Sequence, residues 1–146
     1  MLLCPLSAAH LGAVAELERL CFAEPWSQTA LSMLTAPEHL GVVLLFGEQV
    51  VAYGGMTTVL DEGSVTNIAT HPAYRRRGFG RQIVSALLEE ATGRGLCRVV
   101  LEVRVSNTAA IGLYEAAGFV SVGTRRNFYR FPTEDAVVME WVRPSC

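Results

Sequence analysis

The stretch from Val65 to Leu88 constrains this 146-residue chain more than any other. Val65 to Thr70 has the β-branched content of a strand, and Pro72 ends its ladder by removing a backbone donor. After Gly80, the residues Ile83, Val84, Leu87, Leu88 and Ala91 recur at helical spacing, with Gln82, Ser85, Glu89 and Glu90 mostly opposite. Between strand and helix run Arg75, Arg76, Arg77, Gly78, Phe79, Gly80 and Arg81. Gly78 and Gly80 can take backbone angles closed to other residues, so successive N–H groups can converge on one point. That point lies at a helix N-terminus, where the dipole also favours an anion. The segment therefore predicts a phosphate site, most economically one for a pyrophosphate. Neither common glycine fingerprint fits it. A dinucleotide loop needs a third glycine where Ile83 stands, and a P-loop needs a lysine, which the chain lacks altogether.

The absence of lysine also excludes Schiff-base and lysine-nucleophile chemistry, since all twelve basic residues are arginine. A formal charge of −2 argues against a general nucleic-acid binder, whose affinity comes from phosphate neutralisation. The arginines around the loop are thus a local device on a mildly acidic chain. The length suits one domain spanning residues 1–146, with no apolar run long enough for a bilayer and no basic-then-apolar leader. Cys4, Cys21, Cys97 and Cys146 show neither metal spacing nor disulfide density. The first three sit among apolar residues and read as small core hydrophobes, with a reducing cytoplasm as the default. His10, His39 and His71 have no partners at ligand spacing, so no metal site is predicted.

In chain order, Leu2 to Leu6 reads as a strand. Ser7 caps a helix through about Cys21, with Leu11, Val14, Leu17, Glu18 and Leu20 as its stripe. Glu24-Pro25-Trp26-Ser27 breaks that helix, and Ser27 caps a short one to about Leu34. Val42 to Phe46 and Val50 to Val59 form a hairpin over Gly47-Glu48, and Asp61-Glu62-Gly63 turns into the central strand. The helix after Gly80 ends near Arg94-Gly95. A strand from Cys97 to Val105, a helix from Asn107 to Ala117, and two strands between Phe119 and Val142 complete the chain. This order predicts an α/β (α+β) arrangement around one mixed sheet.

Glu102 is a carboxylate in the apolar run Val99-Val100-Leu101-Glu102-Val103. On a solvated sheet face it would be unremarked, but this strand follows a crossover helix and reads as buried on both faces. Desolvation there would raise its pKa toward neutrality and suit a general base. Tyr114, on the next helix one turn after Ile111, is a second candidate; a core aromatic with a bonded hydroxyl is the equal alternative.

Arg75 to Gly80 fits the pattern Arg/Gln-x-x-Gly-x-Gly/Ala, and the segment resembles the coenzyme A pyrophosphate loop of the GCN5-related N-acetyltransferases (GNAT). Asn67 to Pro72, Leu101 to Asn107, Ala110 to Glu115 and Gly118-Phe119 occur in that family's order. Pro25-Trp26-Ser27, Arg125 to Tyr129 and Glu134 to Met139 extend the likeness over nearly the whole chain. These outer segments resemble the branch that acetylates the N-terminal alanine of a small-subunit ribosomal protein. The resemblance implies a GNAT fold: one mixed, mostly antiparallel sheet of about seven strands flanked by about four helices. It implies acetyl-CoA as co-substrate and a ribosomal protein N-terminus as partner; a monomer is expected, and charge and hydropathy predict contact with neither nucleic acid nor membrane.

Carried over by position, the resemblance makes Glu102 the proton acceptor and Tyr114 the proton donor. Ile68, Ala69 and Thr70 would pair by backbone with the pantetheine arm. Arg75, Arg76, Arg77, Gly78, Phe79, Gly80 and Arg81 would hold the pyrophosphate, and Asn107 the arm near the thioester. Trp26, Asn127 and Tyr129 would shape the peptide groove. Thr70 stands where the family usually has an aliphatic residue, and Phe128 replaces a tyrosine. A ping-pong route through Cys97 is disfavoured, because no base is apparent beside it. Two other functions remain open: acetylation of a small-molecule amine drawn in by Glu24, Glu38, Asp61 and Glu62, and a non-catalytic coenzyme-binding module.

Overall fold

Alternating apolar strands and two amphipathic faces build a sheet with helices on both sides. A computed structural model describes residues Met1–Cys146. Its strands are β1 Leu2–Pro5, β2 Leu40–Phe46, β3 Gln49–Val59, β4 Glu62–Thr70, β5 Arg98–Arg104, β6 Val120–Tyr129 and β7 Glu134–Val142. Its helices are α1 Leu11–Cys21, α2 Gln28–Leu31, α3 Phe79–Gly93 and α4 Thr108–Ala116, with 3-10 turns at Ala8–His10, Ser32–Thr35 and Pro72–Tyr74. The sheet order is β1-β2-β3-β4-β5-β7-β6, and only β4–β5 is parallel. This is the mixed, mostly antiparallel seven-stranded sheet with four helices that the resemblance implies.

Pleating sends alternate residues of β2 to opposite faces: Val42 and Leu44 join the core beneath α3, while Val43 joins the core beneath α1. Ile83, Val84, Leu87 and Ala91 are the buried stripe of α3, as their spacing requires. Close approach of α3 depends on Gly54, where a Cβ would lie 2.5 Å from Ile83 Cγ2.

Two features of β4 open the sheet. Gly55 pairs with Asn67 and Met56 with Val65, so Thr66 is an extra residue, a bulge that bends the strand. On the other edge, pairing with β5 covers only Glu62↔Arg98, Gly63↔Val99 and Ser64↔Val100. Beyond Ser64 the two strands part, and the β5-facing edge of Asn67–Thr70 has no strand beside it.

Some expectations are corrected. Ser7 caps this segment as expected, its N–H donating to His10 Nδ1 at 3.0 Å in a capping box, but the first turn, Ala8–His10, is 3-10 and α1 proper begins at Leu11. Leu20 is 51% exposed, one position past the stripe, whereas Glu18 is wholly buried. Cys97 is not a free core thiol but forms a disulfide with Cys146, their Cα atoms 5.6 Å apart. A separation of 49 residues hides that pair from any local pattern. Cys4 and Cys21 are only half-buried. Strand β5 alternates, with Val99, Leu101 and Val103 buried and Val100, Glu102 and Arg104 partly open, so it is not buried on both faces. No helix is long and apolar enough to cross a membrane.

Candidate active site

The gap between β4 and β5 opens into a cavity of about 1170 Å³. It runs from the α1–α2 loop, across the splayed strands, to the β6–β7 turn. Trp26, Ile68, Glu102, Asn107, Tyr114, Asn127 and Tyr129 all line it. These residues come from five separate parts of the chain. Tertiary folding thus gathers both predicted proton-transfer groups with all three predicted groove residues.

Glu102 is half-buried, on the open side of β5. Its charge is felt by Tyr129, whose hydroxyl is pushed up to about 12, first by burial and then by the Glu102 carboxylate. Tyr114 is buried on α4, its ring edge-on to Phe119 at 5.8 Å. Its hydroxyl is likewise pushed up to about 12, by burial first and Tyr129 second. Both phenols therefore keep their protons near neutral pH.

The β6–β7 turn is held from β5. Arg104 donates to the Pro132 carbonyl at 3.0 Å, the Arg130 carbonyl at 2.9 Å and Glu134 Oε1 at 3.0 Å. Its guanidinium also lies 4.5 Å from the Tyr129 ring centroid. Hydrogen bonds from Ser106 and Arg104 hold the Glu134 carboxyl below the usual range. Asn127 takes a positive φ of 53° within the irregular pairing of β6 with β7, and its N–H donates to Asp135 Oδ1 at 2.9 Å. Asn127 thus reaches the cavity through a backbone kink that no local motif advertises.

The predicted phosphate loop lies beyond the cavity lining, where β4 meets α3. Gly78 is the N-cap of α3 with φ 79°, the left-handed angle that its lack of a Cβ permits. No side chain caps this end, and the first turn's N–H groups face outward at the positive pole. Arg76 also has a positive φ, 65°. Gly80, by contrast, has ordinary helical geometry. Its small size matters instead for packing, since a Cβ would lie 3.2 Å from Leu113 Cδ2 on α4. Phe79 is buried against Tyr74, so only its backbone is available to an anion. Arg75 turns back, its Nε 3.4 Å from the Thr70 carbonyl. Arg77 lies over the Tyr74 ring at 5.1 Å and, like Arg81, is exposed. Asn107 lines the cavity and caps α4 with its side-chain carbonyl, which accepts from Ala110 N at 3.1 Å.

An open strand edge beside a bare, arginine-ringed helix N-terminus suits a long ligand with amide groups at one end and phosphates at the other. It is the architecture of an acyl-coenzyme A transferase. The chain belongs to the acetyltransferase (GNAT) family, whose model matches residues 11–119. It is accordingly an acetyl-CoA-dependent N-acetyltransferase. The [ribosomal protein bS18]-alanine N-acetyltransferase of Salmonella typhimurium is 38% identical over 138 residues, 92% of each chain. The crystal structure of the ribosomal-protein-S18-alanine N-acetyltransferase from Escherichia coli superposes with a TM-score of 0.90 at 35% identity, covering 97% of this chain and 92% of that one. Ard1 from Thermoplasma volcanium, at 22% identity and a TM-score of 0.86 over 97% and 96% of the two chains, shares the fold.

Arg77 offers a first test of the loop. Arg77→Ala should weaken acetyl-CoA binding moderately and flatten its salt dependence, because one of several screened charges is lost while the backbone cradle stays. Calorimetric titration at two ionic strengths checks this.

Sequence reasoning passed over Glu18, Tyr53 and Arg104. Glu18 carries the same signal as Glu102, a carboxylate at an apolar position, which helical periodicity reads only as part of the α1 stripe.

Proposed function

We propose that the protein transfers acetyl from acetyl-CoA to the α-amine of an N-terminal alanine on a ribosomal protein of the bS18 type. The carrying observation is the single cavity that brings Glu102 and Tyr114 together with Trp26, Asn127 and Tyr129. The similarity to alanine N-acetyltransferases over 92% of the chain supports the same substrate class.

In this reading the pantetheine arm pairs along the free edge of Ile68–Thr70, and the N-terminus of α3 holds the pyrophosphate with Arg76, Arg77 and Arg81. The acceptor amine enters from the Trp26 and Tyr129 side. Glu102 accepts the proton of the attacking amine. Tyr114, whose phenol is protonated throughout the working range, donates to the departing sulfur. Transfer is direct. Cys97 is tied to Cys146, and burial pushes the Cys21 thiol up, so neither offers a thiolate to carry the acetyl group.

The small-amine alternative loses its acidic cluster. Glu24 lines the cavity but is paired with Arg130 at 3.2 Å, while Glu38, Asp61 and Glu62 lie outside the lining.

The test compares three acceptors: a peptide beginning with alanine, the same peptide with a blocked N-terminus and one lysine, and spermidine. An α-amine with a pKa near ~8 offers roughly 10²-fold more neutral nucleophile at pH 7 than a lysine near ~10.4. The alanine peptide is expected to be preferred by at least that order in kcat/KM. Equal rates on lysine, or a preference for spermidine, would refute the reading.

A further inference from the structure

Glu18 is the one fully buried charged residue of the protein. It stands near the C-terminal end of α1, among Val14, Ala15 and Leu17 of the same buried face. Both carboxylate oxygens are saturated. Oε1 accepts from the Trp26 N–H at 2.8 Å and from Asn67 Nδ2 at 3.3 Å. Oε2 accepts from Asn67 Nδ2 at 3.0 Å and from the Tyr53 hydroxyl. Burial pushes the Glu18 carboxyl up, and hydrogen bonds from Tyr53, Trp26 and Asn67 oppose that shift.

Core stability does not call for a carboxylate here. A buried charge pays heavily for desolvation, and apolar groups of similar shape often serve as well or better. The places of its partners are more informative. The Trp26 N–H belongs to the α1–α2 loop where that loop lines the cavity, and the Trp26 side chain is only half-buried. Asn67 directly follows the bulged Thr66, where β4 leaves β5, and lines the same cavity. Tyr53 on β3 is fully buried and anchors the cluster from behind. One carboxylate therefore bridges a loop with little regular structure to the strand that borders the cleft.

We propose that Glu18 is a positioning residue for the acceptor: through the Trp26 N–H and the Asn67 amide it fixes the spacing between the loop wall and β4, and so sets affinity for the acceptor peptide. This rests on the reading of the Trp26 side as the acceptor wall. Without the carboxylate the loop samples other positions, and peptide affinity falls by the fraction of time the wall is in place. The acetyl-CoA side, built from the far end of β4 and the start of α3, is left intact.

The test uses the full chain with Glu18→Met, which fills the volume but accepts no hydrogen bond, and Glu18→Gln, which keeps one acceptor for the Trp26 N–H. For Glu18→Met the KM of an alanine-initiated peptide should rise about tenfold or more, the effect of a lost charged hydrogen bond, with the KM of acetyl-CoA within about twofold. Glu18→Gln should recover most of that loss. Amide exchange read by mass spectrometry should quicken across residues 22–27 in the Met variant and leave β2 and α3 unchanged. A general loss of packing would instead raise both KM values and exchange throughout. Should Glu18→Met not fold, Glu18→Gln carries the test through a smaller rise in peptide KM alone, with faster exchange confined to the same loop. If the unsubstituted protein acetylates no alanine peptide, the acceptor reading falls and takes this role with it. If it does, but peptide KM or loop exchange is unchanged in the variants, the positioning role alone is overturned.

Discussion

Glu102→Gln is expected to lower turnover by about 10²–10⁴-fold, the range associated with a lost general base. The amide keeps the shape of the side chain on β5 but cannot accept a proton. Acetyl-CoA affinity should hardly change, since the phosphate loop and the free edge of β4 are untouched. The residual rate should climb with pH until the peptide α-amine, with a pKa near ~8, is itself mostly neutral. Tyr114→Phe should cost less. Its phenol holds its proton, being pushed up to about 12 by burial and then by Tyr129. Yet a thiol near ~8.5 already leaves tolerably well, so a weak acid adds little to its departure. Turnover measured across pH, with calorimetric acetyl-CoA affinity alongside, separates the two roles. Wild-type-like turnover in Glu102→Gln would remove it as the base.

Gly78→Val is expected to abolish most acetyl-CoA binding while leaving the fold in place. The left-handed angle at this N-cap, φ 79°, costs a β-branched residue roughly 1–3 kcal/mol. A Cβ there meets no other atom within 4 Å, so the core does not resist the substitution. The strain is relieved by turning the peptide planes at the start of α3, which re-aims the N–H groups meant for the pyrophosphate. Losing two charge-assisted hydrogen bonds corresponds to about 10²-fold or more in affinity. The contrast with Gly80 is informative. Gly80→Ala would crowd Leu113 at 3.2 Å and should disturb the α3–α4 packing instead. Circular dichroism with calorimetric titration distinguishes the two glycines. Normal acetyl-CoA affinity in a folded Gly78→Val protein would unseat the loop assignment.

Much of the site was legible because its signals are local. A glycine at a helix start, a run of arginines and a carboxylate in an apolar strand each state their chemistry within a few residues. The partners of Glu18 and of Cys97 escape a local reading for the opposite reason. Glu18 finds its partners 8, 35 and 49 residues away, and Cys97 finds Cys146 at a separation of 49. Periodicity reports which face a side chain occupies, not what waits on the other side of that face. Gly80 shows the same limit, since a permissive residue in a loop motif proved to be a small residue at a helix contact.

The sequence by itself determined the elements and their order, because strand alternation, helical stripes and turn residues act through neighbours on the chain. The anion site we propose rests likewise on local signals, one loop and one helix end. Only the tertiary structure decided the cleft. The loss of β4–β5 pairing after Ser64 depends on strands separated by the whole of α3. Their parting makes the space in which Glu102, Tyr114 and the acceptor wall meet, and no local pattern encodes where a sheet stops pairing.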